Sequence, residues 1–312
     1  MSSTLLDRAP ARDAKLGLVD CDVHHAMRSI EDLYPYLSAK WRQHLATYGS
    51  RQSVPFTAQS RYFKSAPALS RKDTWPPNGG APGTDLKFLQ EQLLDRYNIE
   101  FGTLHLLTPT GMDQRNQDLG PVMCRAINEW QYHEWTQRDQ RLKAAIVVPG
   151  EDAAAAVAEI EHWAGNPDFC QISLVSHTIE PMGRRRYWPI FEAAVAHGLP
   201  IGLHSSGFNG HAVTPSGWAS FYAEEHQEVA MSQQAILTSL VCEGVFERYK
   251  ALKVVIVEAG LAWVPSLCWR LDRQWERMRD EVPNVKRPPS EYVRENMWFT
   301  TQPMDEPERP ED

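Results

Sequence analysis

The chain has 312 residues, of which 42% are hydrophobic and 23% charged, and it carries a formal net charge of -8. That length accommodates one large α/β domain, and the composition excludes a disordered chain. The acidic balance argues against a nucleic-acid surface, and the basic triplet Arg184-Arg185-Arg186 is too short and isolated to reverse it.

No run approaches the roughly 18 apolar residues of a membrane span. Met1 to Ala14 mixes charges with apolar residues and lacks the apolar core of a signal peptide. The five cysteines, Cys21, Cys124, Cys170, Cys242 and Cys268, are scattered and odd in number. They predict reduced, mostly buried thiols in a cytoplasmic protein.

In chain order, the first element is a strand, Leu16-Gly17-Leu18-Val19, running into Asp20-Cys21-Asp22-Val23-His24-His25. Side chains alternate along a strand, so Asp20, Asp22 and His24 share one face, while Cys21 and His25 take the other. Oxygen donors and an imidazole converging at a strand end are a common way to hold a divalent cation. The plain alternative is a strand that ends in a polar turn. Ser29 to Gly83 then holds a helix over 30–45, broken near Pro35, and a Pro/Gly/Ser-rich run. Emerging beside the Asp/His cluster, it is expected to be a lid or dimer arm, with a disordered excursion as the alternative.

From there a rhythm sets in. The pattern predicts helices over 85–97, 121–138, 152–164, 188–197, 228–249 and 263–279. Strands follow each of them, at 101–107, 142–148, 169–175, 200–203, 253–257 and 297–301. Gly198 is a natural C-cap. A second excursion, 208–225, is rich in Gly, Trp and His. Strands alternating with helices imply a parallel sheet with helical crossovers. An open doubly wound sheet usually carries a Gly-rich phosphate turn after its first strand. Here the Asp/His cluster takes that place. The expected fold is therefore an α/β, TIM (β/α)8-type barrel, one domain over 1–312 with a long insertion after strand 1. No eighth strand is legible after Thr301.

In such a barrel the active site forms at the C-terminal strand ends. Here Asp22 and His24 end the first strand, His204 the fifth, Glu258 the sixth, and Thr300-Thr301-Gln302 the seventh. A carboxylate after Val254-Val255-Ile256-Val257 is costly to bury unpaired. A cation, or a proton held for acid/base work, removes that cost; a helix N-terminus is the plainer partner. His177, just beyond the fourth strand, and Trp218 in the second excursion are candidate substrate contacts. Core or loop packing is the alternative for both. Arg184 and Arg186 are candidates to pair with a substrate carboxylate.

The chain resembles the amidohydrolase-related family, metal-dependent barrel enzymes that include aminocarboxymuconate semialdehyde decarboxylase and resorcylate decarboxylase. The resemblance covers nearly the whole chain. It rests on Asp20-Cys21-Asp22-Val23-His24, on Gly198-Leu199-Pro200-Ile201-Gly202-Leu203-His204, and on Gly244-Val245-Phe246-Glu247-Arg248-Tyr249 leading to Glu258-Ala259-Gly260. It implies that Asp22, His24 and His204 are metal ligands. Glu258 stands where the decarboxylases keep a proton-handling His. The family's last ligand, an Asp ending an eighth strand, has no counterpart here, since Asp305 and Asp312 lie in a stretch with no apolar run.

The implied activity is hydrolysis of a small carboxylate, lactone, ester or amide, with Glu258 as the catalytic proton acceptor or donor. The alternatives are non-oxidative decarboxylation of an aromatic or unsaturated acid, and a truncated inactive relative. The implied cofactor is one divalent ion, Zn2+ first and Mn2+ second. The expected partners are a small-molecule substrate and a second copy of the chain in a homodimer, with neither nucleic acid nor membrane.

Overall fold

β-branched, apolar runs such as Val254-Val255-Ile256-Val257 are disposed to strands buried on both faces, as a parallel sheet with helical cover requires. In the structure, a computed structural model, they are the staves of one sheet. It describes residues 16–50, 70–107, 111–112, 114–207, 214, 216–304 and 309. The strands are β1 (Leu18–Val23), β2 (Ile99–Leu104), β3 (Leu142–Val147), β4 (Phe169–His177), β5 (Ile201–Gly207), β6 (Val254–Val257) and β7 (Met297–Phe299). Their order in space is their order in sequence, and every pairing is parallel. The sheet curls into a TIM-like barrel with one strand missing. Among the described residues, β1 and β7 each keep one unpaired edge. Asp305 and Asp312 lie outside the described residues.

The helices are α1 (Ala39–Tyr48), α2 (Leu86–Leu89), α3 (Leu119–Gln131), α4 (Ala153–Trp163), α5 (Trp188–His197), α6 (Tyr222–Cys242), α7 (Val245–Arg248), α8 (Trp263–Met278) and α9 (Pro289–Asn296). The helices predicted over 85–97 and 121–138 are each present but change pitch, continuing as π-helical turns at Gln90–Asp95 and Tyr132–Thr136. The helix predicted over 228–249 begins earlier, at Tyr222, and is cut where Gly244 takes a left-handed φ of 75°. β5 runs past His204 to Gly207. α9 was not legible, because Pro288-Pro289 reads as a breaker, yet a Pro at the first helical turn is well tolerated. Among the described residues no helix is long and apolar enough to cross a membrane.

Two apolar clusters hold the helices to the sheet. One joins β1–β3 to α1 and α3 through Val23, Leu104, Leu142, Leu45, Met123 and Ile127. The other joins β3–β7 to α4–α9 through Ile146, Ile172, Leu203, Ile256, Phe191 and Tyr292. Each fully buried side chain of this size contributes about 1.5–3 kcal/mol. Cys124 and Cys268 are buried as expected, but Cys21 is exposed. It belongs to β1, which lies at the open edge of the sheet.

Within the insertion, residues 51–69 lie outside the described residues. The remainder holds a 3-10 turn at Ile30–Tyr36, then α1, and later returns to β1, where Ala26 N–H donates to the Gly83 carbonyl at 2.8 Å. Gly83 has a φ of +78°, and a Cβ there would collide with the His24 carbonyl. Gly83→Ala is therefore expected to cost about 1–3 kcal/mol. A thermal melt checks it, and an unchanged midpoint contradicts the close approach.

Candidate metal centre

Strand alternation delivers what the sequence predicted at the tip of β1. Asp22 and His24 face the same side as His204 of β5 and Glu258, the residue after β6. One ligand atom from each of these four residues lies within 4.8 Å of all the others. His204 Nε2 is 3.1 Å from Glu258 Oε2 and 3.5 Å from Asp22 Oδ1. His24 Nε2 is 3.6 Å from both carboxylates. The two rings meet edge to face, with centroids 5.1 Å apart. His204 and Asp22 are deep, whereas the His24 and Glu258 side chains are 26% and 23% exposed. The cluster is thus open on the side a substrate can reach.

Local structure aims each group. Asp20 stands two residues earlier on β1, and its Oδ1 accepts the Asp22 N–H at 3.1 Å. His24 Nδ1 lies 3.1 Å from the carbonyl oxygen of His105, directly after β2. With Nδ1 donating there, Nε2 is left as the ligating nitrogen. Glu258 takes a left-handed backbone, φ 54°, and its N–H donates to Thr300 Oγ1 at 3.0 Å. A non-glycine residue in that region costs about 1–3 kcal/mol and is held there only where the surroundings compel it. The sequence carried no sign of this strain.

Charge ties the four together. Burial by itself would raise the Asp22 carboxyl, but the His24 and His204 imidazoles hold it down at about 2. Burial would likewise raise Glu258, and the His204 and His24 rings facing its carboxylate bring it far below the usual carboxylate range. Burial opposes a charge on His204, yet Asp22 and Glu258 push it up to about 10, and Asp22 and Glu258 raise His24 against the same opposition. Asp22 Oδ1 is nonetheless buried without a hydrogen bond. Two carboxylates and two imidazoles around such an atom make a donor set that fits a divalent cation.

The other predicted residues stand outside this cluster. Arg186 donates to Glu180 Oε1 at 3.0 Å and to the Glu151 carbonyl at 2.9 Å. With Glu151, Met112 and Ile179 it lines a cavity of about 280 Å³ beyond the tips of β3 and β4. His177, buried at the end of β4, lines a smaller cavity that shares Met112 and Glu151. Arg184 instead meets Glu243, the residue after α6, at 3.3 Å. Trp218 is 65% exposed. Two buried polar groups near the cluster, His105 and Gln171, are not among the residues that the sequence singles out for the site. Their polarity inside apolar strands was the available signal.

A parallel βα barrel with a four-donor cluster at its strand tips defines a barrel enzyme with its site at the C-terminal face of the sheet. The chain belongs to the amidohydrolase family, whose model matches residues 19–312. Members are metal-dependent enzymes, hydrolases and carboxy-lyases among them. An amidohydrolase from Mycobacterium avium subsp. paratuberculosis superposes with a TM-score of 0.69 at 17% identity, over 92% of this chain and 84% of that one. The 2,6-dihydroxybenzoate decarboxylase from Rhizobium gives 0.61 at 17% identity, over 91% and 80%. The 5-carboxyvanillate decarboxylase from Novosphingobium aromaticivorans, complexed with manganese and 4-hydroxy-3-methoxy-5-nitrobenzoic acid, gives 0.64 at 18% identity, over 91% and 78%. No curated protein matches the chain.

Proposed function

We propose that the protein is a metal-dependent hydrolase of a small carboxylate, lactone, ester or amide, with Asp22, His24 and His204 as the ligands. The observation that carries this reading is the convergence of these three with Glu258 within 4.8 Å. When bound, a divalent ion lowers the pKa of water and polarises a substrate carbonyl or carboxylate. Glu258 stays ionised beside the two rings, so its Oε2 is fitted to accept a proton rather than to donate one. Asp22 keeps both imidazoles oriented, and His24, partly open, borders the substrate's approach. Arg186 and His177 contact the far end of the substrate from the β3–β4 cavities, and Arg184 and Trp218 are the outlying members of this proposed set. Zn2+ suits the two imidazoles; Mn2+ suits the two carboxylates. The similar folds of two decarboxylases favour a second reading, in which Asp22, His24 and His204 would hold an ion able to bind the carboxylate of an aromatic acid; the ring–carboxylate bond would break with release of carbon dioxide, and a protonated Glu258 would supply the proton that replaces it on the ring carbon.

Metal content followed by product analysis tests the reading. Acid release from a lactone, ester or amide panel supports hydrolysis. Carbon dioxide release from hydroxylated benzoates moves the assignment to the second reading. A protein that takes up neither zinc nor manganese sinks both. The proposal includes a homodimer, expected from the insertion over 29–83; light scattering that reports a monomer removes that part.

The cluster also predicts a pH dependence. His204 must lose its proton to ligate, and in the metal-free protein that proton is held up to a pKa of about 10. Metal uptake near neutral pH should therefore release protons, and affinity should rise about tenfold per pH unit for each proton released. For the metal-free fold, the raised His204 contributes stability that is full below its ordinary 6.5 and lost as pH climbs through about 10. Asp22 contributes stability that is full above its ordinary 3.8 and lost as pH falls toward about 2. Calorimetric titration in buffers of different ionisation enthalpy counts the protons. Uptake without proton release at pH 7 contradicts the assignment of His204.

A further inference from the structure

Below the cluster lies a second polar group that the proposed chemistry does not use. His105 is 2% exposed, and Gln171 of β4 is 6% exposed. Gln171 Nε2 lies 2.6 Å from His105 Nε2, a contact that ties the amide to the ring. His105 Nδ1 has no hydrogen-bonding partner among the described residues. An unpaired buried polar atom costs about 1–3 kcal/mol, so the arrangement calls for a compensating role.

Its neighbours indicate the role. The His105 N–H donates to the Val23 carbonyl of β1 at 2.9 Å, and the His105 carbonyl faces His24 Nδ1. The His105 ring packs on the His204 ring, with centroids 5.6 Å apart and planes tilted by 38°. Gln171 in turn fills the space left by Gly202, two residues before His204 on the same strand. A Cβ on Gly202 would come within 2.8–3.0 Å of the Gln171 amide atoms. Gly202, Gln171, His105 and the rings of His24 and His204 therefore form one packed chain across β5, β4, β2 and β1.

We propose that Gln171 and His105 are positioning residues. By fixing the His105 ring, Gln171 sets the tilt of the His204 ring and so the aim of its Nε2, while the His105 main chain sets His24. The claim rests on the metal-site reading for its consequence, but not for its geometry. The absence of a Cβ at Gly202 is part of the device, because it gives the amide its place.

Gln171→Met keeps the length of the side chain and removes its hydrogen bond. Partners that orient metal ligands typically matter about 10–100-fold in metal affinity. Gln171→Met is therefore expected to weaken Co2+ binding by about that factor and to change the visible ligand-field spectrum of the cobalt protein. Gly202→Ala, which displaces the same amide, is expected to act in the same direction and serves where Gln171→Met does not fold. Circular dichroism confirms the fold of each variant. In the metal-free proteins, the imidazole proton and nitrogen resonances of His204 are expected to shift in both variants. Unshifted resonances in a folded variant overturn the proposal, as does an unchanged cobalt affinity and spectrum. If the native chain takes up no cobalt, the metal-site reading fails alone, and the resonances of His204 still decide this inference.

Discussion

Asp22→Asn is expected to leave purified protein with little bound zinc or manganese and to remove turnover on any substrate found. Asp22 Oδ1 faces both imidazoles, at 3.6 Å from His24 and 3.5 Å from His204, and is the one buried oxygen of the cluster with no hydrogen bond. Replacing its charge with an amide takes away a ligand and the partner that keeps both rings in place. Breaking a buried charge pair costs about 3–5 kcal/mol, which corresponds to roughly two to three and a half orders of magnitude in affinity. His204→Ala is expected to do the same. Glu258→Gln is expected to differ: metal retained in greater part, turnover lost, because its role lies in the proton transfer. Metal analysis with circular dichroism beside it reads these outcomes. Full metal content in both Asp22→Asn and His204→Ala would falsify the ligand assignment.

Glu159→Ala is expected to unfold the protein about 10 °C earlier while leaving the metal centre intact in the folded fraction. Glu159 of α4 is buried against α3 and β3. Its Oε1 accepts Asn128 Nδ2 and Trp163 Nε1, each at 2.8 Å, and its Oε2 accepts Arg125 Nε at 2.9 Å. Asn128 is shared with the sheet: its Nδ2 donates to the Val147 carbonyl at 2.8 Å, and its Oδ1 accepts the Val147 N–H at 2.9 Å. Removing the carboxylate strands the buried Trp163 Nε1–H and one Asn128 N–H and leaves the half-exposed Arg125 without its partner, at a cost of about 3–5 kcal/mol. Glu159→Gln keeps the acceptor oxygen and is expected to lose less. Scanning calorimetry compares the two, and equal midpoints for Glu159→Ala and the native protein contradict the account.

The legible parts of this chain are those governed by short-range periodicity. Trp188–His197 ends at Gly198, which adopts a left-handed φ of 65° as a C-cap should. β6 and its following carboxylate were readable because four β-branched residues in a row leave few alternatives. His204 was readable as a strand-end residue, although its strand runs on to Gly207. Less legible were the π-helical ends of α2 and α3. No residue type announces them. The open face of Cys21 was hidden too, because burial depends on what covers a strand and not on the strand itself.

The same division holds at the site. Alternation along β1 determined from sequence alone that Asp22 and His24 face one way, and the apolar runs before His204 and Glu258 determined that both stand at strand ends. These follow from a period of two residues. Only the tertiary structure decided that strands so far apart in the chain bring the four groups within 4.8 Å, and that Glu258 enters with a left-handed backbone. It alone revealed that Gly202 makes room for Gln171 and that His105 packs beneath His204. Curvature of the sheet and the depth of each side chain depend on contacts between residues distant in sequence, and local periodicity carries no record of them.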